Sequence, residues 1–180
     1  MNNEQVSLLP LSKDTEDETL VKSLFLQPST LRYWFQPPFA NEDELTQFID
    51  THIKADDVVS MTINVTESGM AERQIKVGLV EVIDIDQIAR CGEIEITLLD
   101  RQQGHGYAQI AFQQMIDLMF KTYNMHKLYL YVDVENAPAV HIYKKLGFET
   151  EGTIKDQFYS MGSYHDAYYM GLTRSSYENK

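Results

Sequence analysis

Two glycines flanking a histidine, in the run Arg101-Gln102-Gln103-Gly104-His105-Gly106-Tyr107-Ala108, are the first residues here whose types and spacing suggest chemistry. Glycine lets a backbone turn sharply and leaves main-chain N–H groups open to a ligand. If a helix starts at this point, its first-turn N–H groups point at an anion. A pyrophosphate cradle is one reading; a tight connection without a ligand is the other. The dinucleotide fingerprint needs a third glycine where Gln109 stands, and the P-loop needs Gly-Lys-Ser/Thr, which is absent. Just upstream, Glu93 and Glu95 share one face of an alternating stretch, roughly 7 Å apart by the two-residue strand repeat. Paired carboxylates there suit a cation; the alternative is a solvated strand face.

The elements that must position these groups are written around them. Glu93-Ile94-Glu95-Ile96-Thr97-Leu98 alternates polar and apolar, the period of a strand with one buried face. Beyond the glycines, Ala108, Ala111, Phe112, Met115, Leu118 and Met119 recur at helical spacing. Residues 127–132 make the next strand, so strand, helix and strand predict a parallel, right-handed crossover. Asn136 as cap, Pro138 in the first turn and Gly147 past the end predict a short helix. Phe148 opens an antiparallel hairpin with arms to about residue 159 and over 164–172, and residues 175–180 read as a frayed tail.

Nearer the N-terminus, residues 6–11 read as a strand. A helix capped by Asp14 runs to about Phe25 and is closed by Pro28. Residues 32–39 carry four aromatics and two prolines and read as a loop anchored by its rings, or as a lid or wall of a ligand site. Asn41 caps a second helix through Ala55. Residues 58–66 and 75–84 form a hairpin around a polar, flexible connection at 67–74.

Composition bounds the class. A chain of 180 residues with 43% hydrophobic and 11% aromatic content suits one globular domain over 1–180. No apolar run reaches the roughly 20 residues of a membrane helix, and no basic, apolar leader opens the chain. The lone Cys91 forms no disulfide framework and reads as a small packing residue. A soluble, cytoplasmic protein is expected. A net charge of −12 repels nucleic acid and anionic membrane and attracts cations. An anionic cofactor at the glycines therefore relies on N–H dipoles and on Arg101, Lys144 and Lys145 at short range. His126, His141 and His165 lack metal-ligand spacing, and no metal is expected.

The glycine run after an alternating strand resembles the acyl-CoA-binding signature of the GCN5-related N-acetyltransferases. The segments Arg32-Tyr33-Trp34-Phe35, Gly78-Leu79-Val80-Glu81, residues 124–132, Asn136, Ala139-Val140-His141-Ile142-Tyr143, Gly147-Phe148 and Gln157-Phe158-Tyr159 are similar to the spermidine and spermine branch. The resemblance implies an α/β fold: a mixed central sheet of about seven strands flanked by about four helices. It implies acetyl transfer from acetyl-CoA to a primary amine of spermidine or spermine, with a small polycationic substrate and a homo-oligomer. Ile96, Thr97 and Leu98 would pair with the pantetheine arm. Gln103, Gly104, His105, Gly106, Tyr107, Ala108 and Gln109 would hold the pyrophosphate, with Asn136 and Tyr143 near the thioester.

Tyr143 would be the general acid; without the resemblance it reads as a tyrosine packed on the sheet. Glu44, His52, Glu93 and Glu95 would line the polyamine groove, and Asp84 falls at an acidic position linked to cation binding. His105 is an exposed loop residue or, when protonated, an anion ligand. The chain departs from the branch in carrying Gln36-Pro37 where relatives have two glutamates of an allosteric polyamine site, and Lys54 and Ala55 where they tend to His and Asp. Polyamine control and ring assembly are therefore in doubt, and a hyperbolic spermine dependence is expected. The remaining alternatives are a ribosomal-protein-type N-terminal acetyltransferase and a non-catalytic acyl-CoA-binding sensor.

Overall fold

The computed structural model describes residues 4–33, 39–67 and 73–179. Its elements are β1 (Gln5–Pro10), α1 (Thr15–Leu26), α2 (Pro28–Tyr33), α3 (Glu42–Lys54), β2 (Val59–Glu67), β3 (Arg73–Asp86), β4 (Cys91–Leu98), α4 (Tyr107–Lys121), β5 (Lys127–Asp133), α5 (Ala137–Lys145), β6 (Glu149–Ser160), β7 (Ser163–Thr173) and α6 (Arg174–Glu178), with a 3-10 turn at Asp100–Gln102. Seven strands form one sheet in the order β1-β2-β3-β4-β5-β7-β6, antiparallel except where β4 meets β5. The α/β acetyltransferase arrangement expected from the resemblance is present. Six α-helices occur among the described residues, four of them nine residues or longer.

Side-chain alternation splits the core into two layers. Val80, Val82, Ile94, Leu128 and Leu130 meet Ala111, Phe112, Met115 and Met119 of α4 on one face. Leu79 meets Leu20, Val21, Leu24 and Phe25 of α1 and Leu45 and Ile49 of α3 on the other. Glu81, Glu93 and Glu95 alternate onto that second face, so carboxylates share a layer with α1 and α3. The strands β3 and β4 approach closely at Gly78, where a Cβ would stand 2.3 Å from the Thr97 carbonyl oxygen.

Helix ends follow the sequence. Asp14 accepts the Asp17 amide at 2.7 Å, and Asn41 accepts that of Glu44 at 2.9 Å. Asn136 accepts that of Ala139 at 3.3 Å, and Pro138 sits in the first turn of α5. Buried Asp17 is compensated by Lys76 at 2.6 Å.

Three expectations are corrected. Pro28 follows directly on the end of α1, as expected, but it also opens α2, because its fixed φ suits a first helical turn and its missing N–H costs nothing there. Arg32 and Tyr33 therefore belong to a helix, whereas residues 34–38, including Gln36 and Pro37, lie outside the described residues. The tail from Ser175 is helical, since the Thr173 side chain accepts the Ser176 amide and starts α6. Of the 67–74 connection, residues 68–72 lie outside the described residues; β2 and β3 reach closer to it than read from sequence.

Candidate active site

The parallel ladder between β4 and β5 is short. Cys91, Gly92 and Glu93 pair with Lys127, Leu128 and Tyr129, and the pairing ends there. Beyond it the Tyr131 backbone N–H, which a continuing ladder would have used, faces the Glu93 carboxylate and favours its ionised form. The strands part, and a cavity of about 530 Å³ opens between them.

Its walls are Ile96, Thr97 and Leu98 of β4; Gln103, Gly104, Gly106, Tyr107, Ala108 and Gln109 at the glycine bend; and Asn136, the N-cap of α5, with Tyr143 inside that helix. Every residue nominated for the cofactor except His105 borders this space. Gly104 and Gly106 have φ of +81° and +83°, a left-handed backbone that only glycine adopts without strain. Gly106 is the N-cap of α4 and offers no side chain, so no capping group competes with an anion for the first-turn N–H groups. Lys145 reaches the bend through Gln109, 3.0 Å from its Oε1. Exposed His105 packs on Tyr107 at 5.2 Å, and its Nδ1 lies 3.0 Å from the Gln103 carbonyl oxygen, which braces the bend from outside.

A second cavity of about 350 Å³ is lined by Tyr33, Ile83, Glu93, Ile94, Glu95, Ile96, Tyr131, Tyr143, Gln157 and Phe158. The two spaces share Tyr33, Ile96, Tyr131 and Tyr143. Tyr143 packs against Phe112 at 5.2 Å and Phe148 at 6.2 Å, so its ring is held while its side chain borders both cavities. Burial, and then the negative charge of Glu95, push the phenol well above its ordinary pKa. It stays a proton donor across the physiological range.

The carboxylates of the second cavity are pushed the same way. Burial, then Asp84, raises Glu93 to about 7 against the pull of the Tyr131 N–H. Burial, then Glu93, Glu81 and Asp84, raises Glu95 to about 8. A site that holds carboxylic acids near neutrality ionises them when a cation enters, which matches an ammonium ligand.

Two nominated substrate residues stand elsewhere. Glu44 closes the start of α3, accepting the Ala40 N–H at 2.8 Å, and the His52 ring packs tilted against Phe48 with centroids 3.8 Å apart. Neither is among the described residues lining the two cavities. Both face demands of their own helix that a linear match does not reveal.

Tyr33 walls the first cavity, the alternative left open for residues 32–39, but sequence reasoning missed that it does so from a helix and that Ser29 and Thr30 of α2 join it. It also missed what holds α2 there. The Arg32 guanidinium lies 3.5 Å from buried Asp133, 3.0 Å from Glu135 and 3.1 Å from His165 Nε2, and the Ser160 hydroxyl donates to the Arg32 carbonyl oxygen at 2.8 Å. Asp133, Glu135 and His165 offer donor atoms within 4.8 Å of one another. His165, which has no metal-ligand spacing along the sequence, is joined by the fold to two carboxylates from β5 and its exit, with a guanidinium beside them. A charged residue at a strand end, as Asp133 is, was the one local signal available.

A model of the acetyltransferase (GNAT) domain family matches residues 5–149. The spermidine N(1)-acetyltransferase of Vibrio cholerae is 32% identical over 178 residues, covering 99% of this chain and 98% of the relative. That of Escherichia coli K12 is 35% identical over 172 residues, covering 96% and 88%. The crystal structure of the V. cholerae enzyme in complex with CoA and spermine superposes with a TM-score of 0.87 at 32% identity, covering 97% of this chain and 99% of that one. A further structure of the V. cholerae enzyme, in complex with manganese ions, gives 0.77 at 31% identity, covering 98% and 96%. With relatives of this identity matched from end to end and the domain model spanning most of its length, the chain belongs to the GNAT acetyltransferases, in their spermidine N-acetyltransferase branch.

Proposed function

We propose that this protein transfers the acetyl group of acetyl-CoA to a primary amine of spermidine or spermine, by direct attack of the amine on the thioester. The observation that carries the reading is the meeting of two cavities at Tyr143, one floored by a glycine bend and the other by Glu93 and Glu95.

The glycine bend and the first turn of α4 take the pyrophosphate, and the edge of β4 vacated by β5 takes the pantetheine arm. The acetyl group then lies beside Tyr143. Glu93 and Glu95 hold the ammonium, and Tyr131 and Phe158 contact its methylenes. An ammonium is no nucleophile, so one proton must leave before attack; Glu95, which shares the second cavity with Tyr143 and whose charge acts on that phenol, takes it. Attack gives a tetrahedral oxyanion that expels a thiolate, whose thiol has a pKa near 8.5 by analogy with cysteine. A phenol kept protonated by burial gives that sulfur its proton.

No step as written calls on a metal, and the guanidinium of Arg32 places a fixed positive charge at the Asp133, Glu135 and His165 cluster, which disfavours a cation there. The homo-oligomer and cytoplasmic location implied by the resemblance belong to the same proposal. Among the described residues no helix is long and apolar enough to cross a membrane. The test is a panel of spermidine, spermine, putrescine and basic peptides with acetyl-CoA, read by thiol release. Turnover of the polyamines supports the reading, and turnover of peptides alone would remove it.

A further inference from the structure

Behind Glu95 lies a buried carboxylate that the mechanism above leaves idle. Glu81 of β3 is the register partner of Glu95 on β4, so the two side chains stand next to each other on the same face of the sheet. Glu81 is 1% exposed, and the Ser60 hydroxyl donates to its Oε1 from β2 on the other side. From above, α3 presents His52, with Nε2 3.9 Å from the same Oε1. The opposite ring nitrogen, Nδ1, lies 2.9 Å from the Phe48 carbonyl oxygen, an acceptor only. That bond fixes the proton on Nδ1 and leaves Nε2 as the basic atom, turned toward Glu81. The His52 side chain is 19% exposed, so the series runs from the Glu95 cavity to solvent on another side of the sheet.

We propose that Glu81 and His52 form a relay that carries the proton shed by the substrate ammonium from Glu95 to solvent. The inference rests on the acetyl-transfer reading and deepens it. An N–H bond of the ammonium breaks and its proton forms an O–H on the Glu95 carboxylate. That proton passes to Glu81, then to Nε2 of His52, and leaves from the imidazolium to water. Glu95, Glu81 and His52 end as they began. The sum is ammonium plus acetyl-CoA giving acetamide, free thiol and one proton, with the second amine proton ending on the sulfur by way of Tyr143.

With a polyamine in one cavity and the cofactor in the other, the direct way from Glu95 to bulk water runs past both ligands, and the relay supplies one that does not. Burial raises Glu81 while His52 opposes it, and Glu95 feels the charge of Glu81. Two adjoining carboxylates in a low-dielectric layer resist ionising together and so share a proton readily. The charged and titratable groups facing Glu81 are His52 from α3 and Glu95 from β4, with Glu93 and Asp84 beyond it; α1 brings apolar side chains to this layer. The 3.9 Å step is bridged by a shift of about 1 Å into hydrogen-bond range or by one water.

The experiment compares the full-length wild type with His52→Ala, His52→Gln and Glu81→Gln in spermidine acetylation between pH 6.5 and 10, with and without added imidazole. Thermal melts check that each variant is folded. The relay predicts that His52→Ala loses about tenfold in kcat near pH 7, that the deficit shrinks as hydroxide takes over, and that imidazole restores the rate. It predicts KM values for both substrates within about twofold of wild type. A pH-independent loss without imidazole rescue would overturn it, as would an unchanged kcat. A rise in spermidine KM with kcat intact would overturn it in favour of the groove role that the family resemblance implies for His52. Because the wild type is assayed alongside, absent wild-type turnover defeats the underlying reading and the relay together. Wild-type turnover with superimposable variant profiles defeats the relay alone.

Discussion

At the scale of single residues, Glu95 and Tyr143 divide the proton traffic, and the division comes from environment. Both are pushed up by burial; for a phenol this preserves the donor, whereas for a carboxyl it brings titration to about 8, within reach of working pH. In the free enzyme, kcat/KM for the amine should rise as pH climbs through about 7 to 8, where Glu93 and Glu95 ionise. Glu95→Gln should lose that limb and drop kcat/KM at pH 8 by about 10²-fold or more, as measured by initial rates. Stability should move the opposite way. The native state binds these protons more tightly than the unfolded chain, so stability held at acid pH is lost as pH rises from the unfolded value of 4.5 through about 8. Melting curves should therefore coincide for Glu95→Gln and wild type near pH 5, and the variant should melt higher at pH 9. Glu93 and Glu95 were legible as a pair on one strand face. Their neighbour Glu81 was not seen as a site residue, because only the register of β3 against β4 makes it adjacent.

At the scale of elements, the chemistry depends on one defect in a sheet and one bend. The defect is the parting of β4 and β5 after three paired residues, with the Tyr131 N–H turned toward the Glu93 carboxylate at the fork. The bend is Gly104 to Gly106, and nothing lies within 4 Å of where a Cβ would be added at either. A side chain at position 106 would thus meet no clash, and its cost would come from a φ of +83°, about 1–2 kcal/mol. Gly106→Ala should lower Tm by several degrees and weaken CoA binding about tenfold by calorimetry, since relaxing the strain turns the N–H groups away. A variant that binds CoA as wild type does would show that the cradle lies elsewhere. This bend was readable because hydrophobic periodicity changes from two to helical across it, and α5 was readable because Asn136, Pro138 and Gly147 mark its ends. That Tyr33 walls the site from a helix was not, because aromatic and proline content over 32–39 masked the helix begun at Pro28. Its anchor joins Arg32 to residues about a hundred positions away, a separation no local pattern encodes.

At the scale of the whole molecule, the formal charge of −12 attracts a polycation and opposes the cofactor. Raising ionic strength should increase KM for spermine and change that for acetyl-CoA less, because N–H dipoles at a helix start act at contact range while the field is screened within about 8 to 10 Å. The same titration should give a hyperbola for spermine, and a sigmoid would mean that other acidic groups serve the site that Gln36 and Pro37 leave without glutamates. The central claim is that two ligands meet at one phenol, and the most direct measurement is thiol release by wild type and Tyr143→Phe with acetyl-CoA and spermidine. The account predicts turnover by the wild type, a fall in kcat of about 10² to 10⁴-fold in the variant, and unchanged affinity for acetyl-CoA. A variant that releases thiol at the wild-type rate would contradict it.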